Sequence, residues 1–194
     1  RGETPGKIYG LSAANGRLFA SSHLGPIHCF GAAGGEAKTV APARENPWSP
    51  EPLKAAGGAA KHLLEQAGVS KGYALLLGAG DGAFAAELVR QSGLNVVCVE
   101  SDPAVAETAR RSLAAAGLYG ARVSVQVVPS GPLPHTTGMM DLVARVPDAP
   151  DTVPFTADEA WRVLRPYGGV MCVAGDADAL ELGAGREFVR LRLA

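Results

Sequence analysis

Along most of this chain the apolar residues keep one of two rhythms. From about residue 51, short unbroken apolar runs alternate with stretches whose apolar residues recur every three or four positions. The runs at 73–77, 95–99, 141–146 and 169–174 predict buried strands, and "RVSVQVV" at 122–128 predicts a further strand alternating Val with polar residues. The helical spacing predicts helices over 51–67, over 82–92, from Pro103 to Gly117, and from Thr156 to just before Pro166. Leu53, Ala56, Ala60, Leu63 and Leu64 line the first helix, Phe84 and Leu88 the second, and Val105, Ala109 and Leu113 the third.

Start and stop signals agree with those limits. Ser49 followed by Pro50, Asp102 followed by Pro103, and the Thr156–Glu159 capping box open helices, while Gly68, Gly93 and Gly117 close them. Gly57 and Gly58 weaken the first helix by about 1 kcal/mol each relative to alanine. A loop, 129–140, separates the third and fourth strands of this region. Strands without alternation, separated by helices, belong to a parallel sheet covered on both faces. The order β-α-β-α-β-loop-β-α-β predicts an α/β, doubly wound, mostly parallel sheet of Rossmann-like type.

The first part of the chain has a different texture. Residues 1–31 are short β-like pieces broken by Gly and Asn, and 32–50, "AAGGEAKTVAPARENPWSP", read as a linker. The expected organisation is therefore a β segment at 1–31, a linker at 32–50 and an α/β domain at 51–194. That domain reads as cut short, because only "REFVRLRLA" is left for a final strand pair. The start at Arg1 likewise reads as an excised fragment.

Composition narrows the classes. Hydrophobic residues make up 47%, and 18 Lys+Arg against 19 Asp+Glu give a net charge of −1. This is a globular composition without a basic surface for nucleic acid. No apolar run approaches the roughly 18–20 residues needed to cross a bilayer, so no membrane partner is expected. Cys29, Cys98 and Cys172 stand singly among apolar neighbours and read as small buried hydrophobes, not as a metal site or disulfide framework.

The candidate chemistry lies where two neighbouring strands end. In an open parallel sheet, ligands bind beyond the carboxyl ends of the strands. "YALLLGAGDGAF" closes its strand with Gly78, Ala79, Gly80 and Gly82, and bare backbone there lets a ligand approach the amides at a helix N-terminus. "NVVCVESDP" closes the next strand with Glu100, Ser101 and Asp102. A carboxylate at Glu100 can accept hydrogen bonds from both hydroxyls of a ribose. Together these stretches predict a pocket for a nucleoside-bearing cofactor. "GAGDGA" also satisfies the loose dinucleotide pattern, so a nicotinamide enzyme stays in competition.

The second half separates these alternatives. "DEAWRVLRPYGGVMCV" (Asp158 to Val173) resembles the segment of class I S-adenosylmethionine-dependent methyltransferases in which a helix runs into an Arg-Pro-x-Gly-Gly turn and the fifth strand. "GMMDLVARV" looks like that family's fourth strand, "LLLGAGDGAFAAEL" like its first motif and "VVCVESDP" like its second, over roughly residues 52–175. The resemblance implies that Gly78, Ala79, Gly80 and Gly82 pass under the methionine part of S-adenosylmethionine and that Glu100, with Ser101 beside it, holds the ribose. Asp102 would lie near the adenine edge, or serve only as a helix cap. Asp81 is expected at the solvent-facing start of the helix, where its charge suits the dipole.

The match departs from the family in two places. After the third strand the family commonly places an acid that contacts the adenine amino group, but "VVPSGPLPH" (Val127 to His135) contains none, and Ser130 is the substitute it offers. "ARVPD" (Ala144 to Asp148) lacks the Asn-Pro-Pro-Tyr type sequence used on nucleobase or amide nitrogens, which argues against those acceptors. No catalytic residue stands out. His62 and His135 are candidate bases or simply surface residues, and Trp161 and Leu164 read as core.

Near the N-terminus, "GKIYGL" and "GPIHCF" stand 19 residues apart, separated by "NG" and "LG" turns. This stretch resembles the repeat of quinoprotein-like (PQQ-type) β-propellers over about 27 residues, less than one four-stranded blade. No quinone-binding residue can be assigned.

The expected function is methyl transfer from S-adenosylmethionine to a small-molecule or protein acceptor. The alternatives are a non-catalytic methyltransferase-like module fused to a propeller and an NAD-dependent oxidoreductase. An active methyltransferase implies a cytoplasmic location, whereas propellers of this type are frequently exported. The acceptor and the oligomeric state are not written in the sequence.

Overall fold

Asn15 and Gly16 both take positive φ, 51° and 69°, and this tight turn folds strand β1 (Ile8–Ala14) back onto β2 (Arg17–Ser22). A second turn brings β3 (Ile27–Phe30) antiparallel to the other side of β2, giving a three-stranded sheet ordered β1-β2-β3. These strands belong to the first of two units of the computed structural model, Arg1–Ala41 and Pro42–Ala194. The structure describes residues 3–32, 38–40, 43–147 and 156–172. In the first unit the sequence reading of one cysteine is corrected: Cys29 is exposed on β3, an outer strand of a single sheet layer.

The second unit begins with helix α1 (Pro50–Ala67), which ends at Gly68 in the left-handed conformation, φ 64°. It continues through β4 (Lys71–Leu77), α2 (Ala83–Arg90), β5 (Gly93–Glu100), α3 (Pro103–Ala115) and β6 (Val123–Val127). After the predicted loop come β7 (Leu142–Arg145), α4 (Ala157–Val163) and β8 (Val170–Cys172). All neighbouring strands pair in parallel, in the order β6-β5-β4-β7-β8. This is the doubly wound, Rossmann-like sheet that the alternation of runs and helices predicts. Val173 and Ala174, the end of the expected last strand, and "REFVRLRLA" lie outside the described residues.

Side chains alternate between the faces of each strand, so one strand feeds two cores. Ala74 and Leu76 of β4 and Val96 and Cys98 of β5 join Leu63, Phe84, Leu88, Ala109 and Leu113 from α1, α2 and α3. Leu75, Leu77 and Val99 face the other way, onto Leu133, Met140, Ala160 and Val163. Leu164 is buried and Trp161 packs against this second core, as expected. Fully burying an aliphatic side chain of this kind is worth about 1.5–3 kcal/mol, and both layers supply several.

Gly57, which costs α1 helix propensity, gains a reason in three dimensions. A Cβ there would approach the Glu87 carboxylate to 3.3 Å, and the Gly57 carbonyl accepts from Gln91 Nε2 at 3.0 Å, so α1 and α2 meet closely at this point. The last part of the expected linker is also built into the unit. Glu45 N donates to the Ala115 carbonyl at 2.9 Å, and Trp48 is buried in the first core.

At the amino ends of the strands sits Asp141, 8% exposed. Its Oδ2 accepts from the Tyr73 amide at 2.9 Å and its Oδ1 pairs with Arg165, tying β4, β7 and the turn before β8 together. Gly72 has φ 105°, and a Cβ there would collide with the Asp141 carboxylate.

Candidate functional site

At the opposite ends of the strands the chain leaves β4 through Gly78, Gly80 and Gly82, with φ values of 94°, 53° and 88°. All three lie in the left-handed region that side-chain-bearing residues rarely adopt. Gly78 N donates to the Val99 carbonyl at 2.8 Å, so the loop starts tied to the end of β5, and Gly82 N donates to the Ala79 carbonyl at 3.1 Å. The two neighbours of β4, β5 and β7, are reached by crossovers running in opposite directions, so a crevice opens at this strand's end.

The three glycines have different duties. A Cβ at Gly80 would meet only Val146 Cγ1, at 3.6 Å, beyond the end of β7. One at Gly82 would press on Leu113 Cγ at 3.0 Å and the Ala109 carbonyl at 3.3 Å. Gly82 therefore permits close packing of the turn onto α3, while Gly80 leaves bare peptide at the crevice.

Glu100, the last residue of β5, turns its carboxylate onto this loop. Oε2 accepts from the Ala79 amide at 3.0 Å, and Oε1 accepts from the amides of Ser101 and Asp102 at 2.8 and 3.1 Å. An ionised carboxylate offers about four acceptor positions. Three amides use most of them, which fixes the orientation of the group and leaves about one position for a ligand hydroxyl. A ligand that takes two must displace an amide bond.

Gly78, Ala79, Gly80, Gly82, Glu100, Ser101 and Asp102 are thus drawn into one corner. Asp102 is exposed and caps α3, its Oδ1 accepting from the Ala104 amide at 2.7 Å. Asp81 is also exposed, its Oδ1 accepting from Ala83 N at 2.9 Å at the start of α2. Ser130 stands apart, exposed in the loop after β6. That loop leaves the sheet beside the acid, with Val128 N donating to the Glu100 carbonyl at 2.8 Å. Cys98, two residues before Glu100, stays a thiol: burial, and then the Glu100 charge, push its pKa up to about 12.

Several residues near this corner escaped the sequence reading. The Trp48 indole N–H donates to the Asp81 carbonyl at 3.1 Å, and Arg90 lies over the Trp48 ring at 5.7 Å. Arg145, which closes β7, is buried at 6% exposure, and a guanidinium among apolar strand residues at the carboxyl rim was the available signal. Glu159 and Arg162 form a bidentate pair on α4 with both contacts at 2.8 Å. Thr156 makes its half of the capping box at a long 3.4 Å, while the Glu159 oxygens lie against Arg162 and the Leu133 amide.

His62 is half-buried on α1. His135 is half-buried in the 128–141 loop; both its ring nitrogens are buried without a hydrogen-bond partner, and burial, then the Arg162 charge, lower its pKa. Among the described residues no group of three His, Cys, Asp or Glu could hold a metal ion, and no helix is long and apolar enough to cross a membrane.

A parallel doubly wound sheet with a glycine loop and an acid at adjoining strand ends defines a Rossmann-like α/β domain. Residues 74–168 match the family model described as "Methyltransferase domain". Over these residues the second unit is therefore similar to a methyltransferase domain.

Solved structures agree on the fold. An assigned S-adenosyl-L-methionine-dependent methyltransferase from Methanococcus maripaludis aligns with a TM-score of 0.56 at 21% identity, over 64% of this chain and 58% of that one. The cyclase SpnF aligns with a TM-score of 0.52 at 22% identity, over 66% and 47%. The MccD protein aligns with a TM-score of 0.51 at 14% identity, over 59% and 51%. At such identities the likeness is one of fold, and this chain spans about half of the length of these structures, 47–58%. No curated protein matches the sequence.

Proposed function

We propose that the second unit binds S-adenosylmethionine at the carboxyl ends of β4 and β5 and transfers its methyl group to a small-molecule or protein acceptor. The observation that carries this reading is the Glu100 carboxylate locked against the Ala79 amide beside a loop of three positive-φ glycines. In this reading the peptides of Gly78, Ala79 and Gly80 lie under the methionine part. Glu100 holds the ribose with its remaining acceptor position, and Ser101 and Asp102 border the adenosine. Ser130 is the polar side chain offered toward the adenine end. When bound, the cofactor supplies a methyl group on a sulfonium centre, open to in-line attack.

The chain's own contribution is to orient the cofactor and exclude water from the methyl. Holding two reactants in an attack geometry is worth up to about 7–11 kcal/mol of barrier, so a proton-moving residue is not required for every acceptor. No residue is assigned as base. An active enzyme would work in the cytoplasm, where the cofactor is made.

A second reading, a non-catalytic module with a weakened adenine site, is favoured by one feature: residues 127–138 carry no carboxylate. The propeller origin of the first unit rests on its sequence likeness alone.

Calorimetry with S-adenosylmethionine, S-adenosylhomocysteine and NAD separates these readings. Micromolar binding of the first two, abolished by Glu100→Ala, supports the methyltransferase. Absence of all three favours the module, and NAD binding alone overturns both in favour of an oxidoreductase.

A further inference from the structure

The loop between β6 and β7 leaves the sheet beside Glu100, at the hydrogen bond from Val128 N to the Glu100 carbonyl. Within it, His135 N donates to the Leu133 carbonyl at 2.8 Å, and several of its other peptide groups are met from α4.

Glu159 and Arg162 supply those contacts. Leu133 N donates to Glu159 Oε2 at 2.8 Å. Arg162 Nη2 donates to the Leu133 carbonyl and Nη1 to the His135 carbonyl, both at 2.8 Å. Gly138 N also donates to the backbone carbonyl of Arg162 at 2.9 Å. The two side chains, clasped to each other, thus hold both the donor and the acceptor of the Leu133 peptide unit. The Leu133 side chain is driven into the second core at 3% exposure.

An exposed Arg–Glu pair one turn apart does little for a helix by itself. Arg111 and Glu107 on α3 show that ordinary case: Arg111 Nε donates to Glu107 Oε1 at 3.1 Å, and Glu107 also meets Arg110 of the same helix at 3.9 Å. The α4 pair differs because its spare donors and acceptors are aimed at peptide groups of a loop.

We propose that Glu159 and Arg162 are positioning residues for the adenine end of the cofactor site. They set the height of the 128–138 segment above the sheet, so that its peptide groups and Ser130 read the adenine edge where no carboxylate is present. The inference rests on the cofactor reading above. Adenine presents an amine donor and a ring-nitrogen acceptor, and hypoxanthine presents the reverse. A loop held in one position should discriminate between them, and a loosened one should not.

The test compares binding of S-adenosylhomocysteine and S-inosylhomocysteine to the full chain by calorimetry, with amide exchange over 129–138. Arg162→Ala is expected to weaken S-adenosylhomocysteine binding ten-fold or more. The preference over the inosyl analogue should fall toward unity, with faster exchange confined to the loop. Glu159→Gln, which keeps an acceptor for Leu133 N, should lose less, and Arg111→Ala should match the parent chain. If Arg162→Ala does not fold, Glu159→Gln carries the same expectation of a reduced preference. A folded variant with a loosened loop and an unchanged preference overturns the positioning role alone. A parent chain that binds neither analogue overturns the cofactor reading and this inference with it.

Discussion

The Trp48 indole donates its N–H to the carbonyl of Asp81, 33 positions along the chain, at 3.1 Å, so the segment before α1 is fastened to the glycine loop. Arg90 lies over the same ring and the ring itself is buried, which gives a side chain in a linker-like sequence three separate anchors.

Trp48→Phe keeps an aromatic ring and removes the donor. The expected loss of stability is about 0.5–1.5 kcal/mol, read by urea unfolding. The parent chain should also report S-adenosylhomocysteine through its tryptophan emission. That response should survive Trp161→Phe and vanish in Trp48→Phe. Retention in the latter would show that the loop and this indole are not linked.

Glu100 is expected to matter twice. Glu100→Ala strips acceptors from three backbone amides and should cost on the order of 1–3 kcal/mol of stability besides abolishing cofactor binding. Glu100→Gln keeps one acceptor oxygen but turns an amide donor toward other donors, so it should fall between alanine and the parent chain. Calorimetry after a thermal melt reads both effects. Full affinity in Glu100→Ala would remove the ribose role.

Gly80 and Gly82 should part company on substitution. Gly82→Ala forces φ 88° on a Cβ-bearing residue and crowds Leu113 and the Ala109 carbonyl. Strain of that kind costs about 1–3 kcal/mol and should show as a lowered melting temperature. Gly80→Ala has more room, with φ 53° in the left-handed well, so its cost should stay near about 1–2 kcal/mol while affinity for S-adenosylhomocysteine falls. Equal stability losses would contradict the division of duties between the two glycines.

The lowered pKa of His135 gives a pH test. The unfolded chain takes up its proton near about pH 6.5, before the folded state does. The histidine's contribution is therefore intact above that value and lost as pH falls from it to the lower folded pKa. His135→Gln should flatten the stability profile across this window and leave it unchanged at pH 8. A profile identical to that of the parent chain would show that the ring is not held neutral.

Much of the second unit was legible because parallel strands are buried on both faces and write themselves as unbroken apolar runs. Their helices carried caps that hold in the structure, such as Asp102 on Ala104 and Gly68 after α1. Legible too was the corner where Glu100 meets the glycine loop, because both sit at fixed offsets from strand ends. What was hidden depends on partners distant in sequence. Asp141 meets Tyr73 68 residues away, and Glu159 meets Leu133 across 26. Local pattern records neither. Cys29 misled because an apolar neighbourhood in sequence implies burial only when another layer covers the strand.

The thiols give a direct check. Cys98 and Cys172 are buried, with burial raising their pKa values to about 12 and about 11, whereas Cys29 is exposed. One fast-reacting thiol is expected in the native chain at pH 8 and three in denaturant. Three fast thiols in the native state would mean that the sheet does not close over Cys98.

Gly72 and Asp141 occupy the same small space from two sides, since a side chain at the first would overlap the carboxylate of the second. Position 72 therefore cannot gain a side chain while the acid at 141 is kept. Among descendants of a shared ancestor, a residue larger than glycine at 72 should be accompanied by loss of the acid at 141. Chains that keep the acid should keep the glycine.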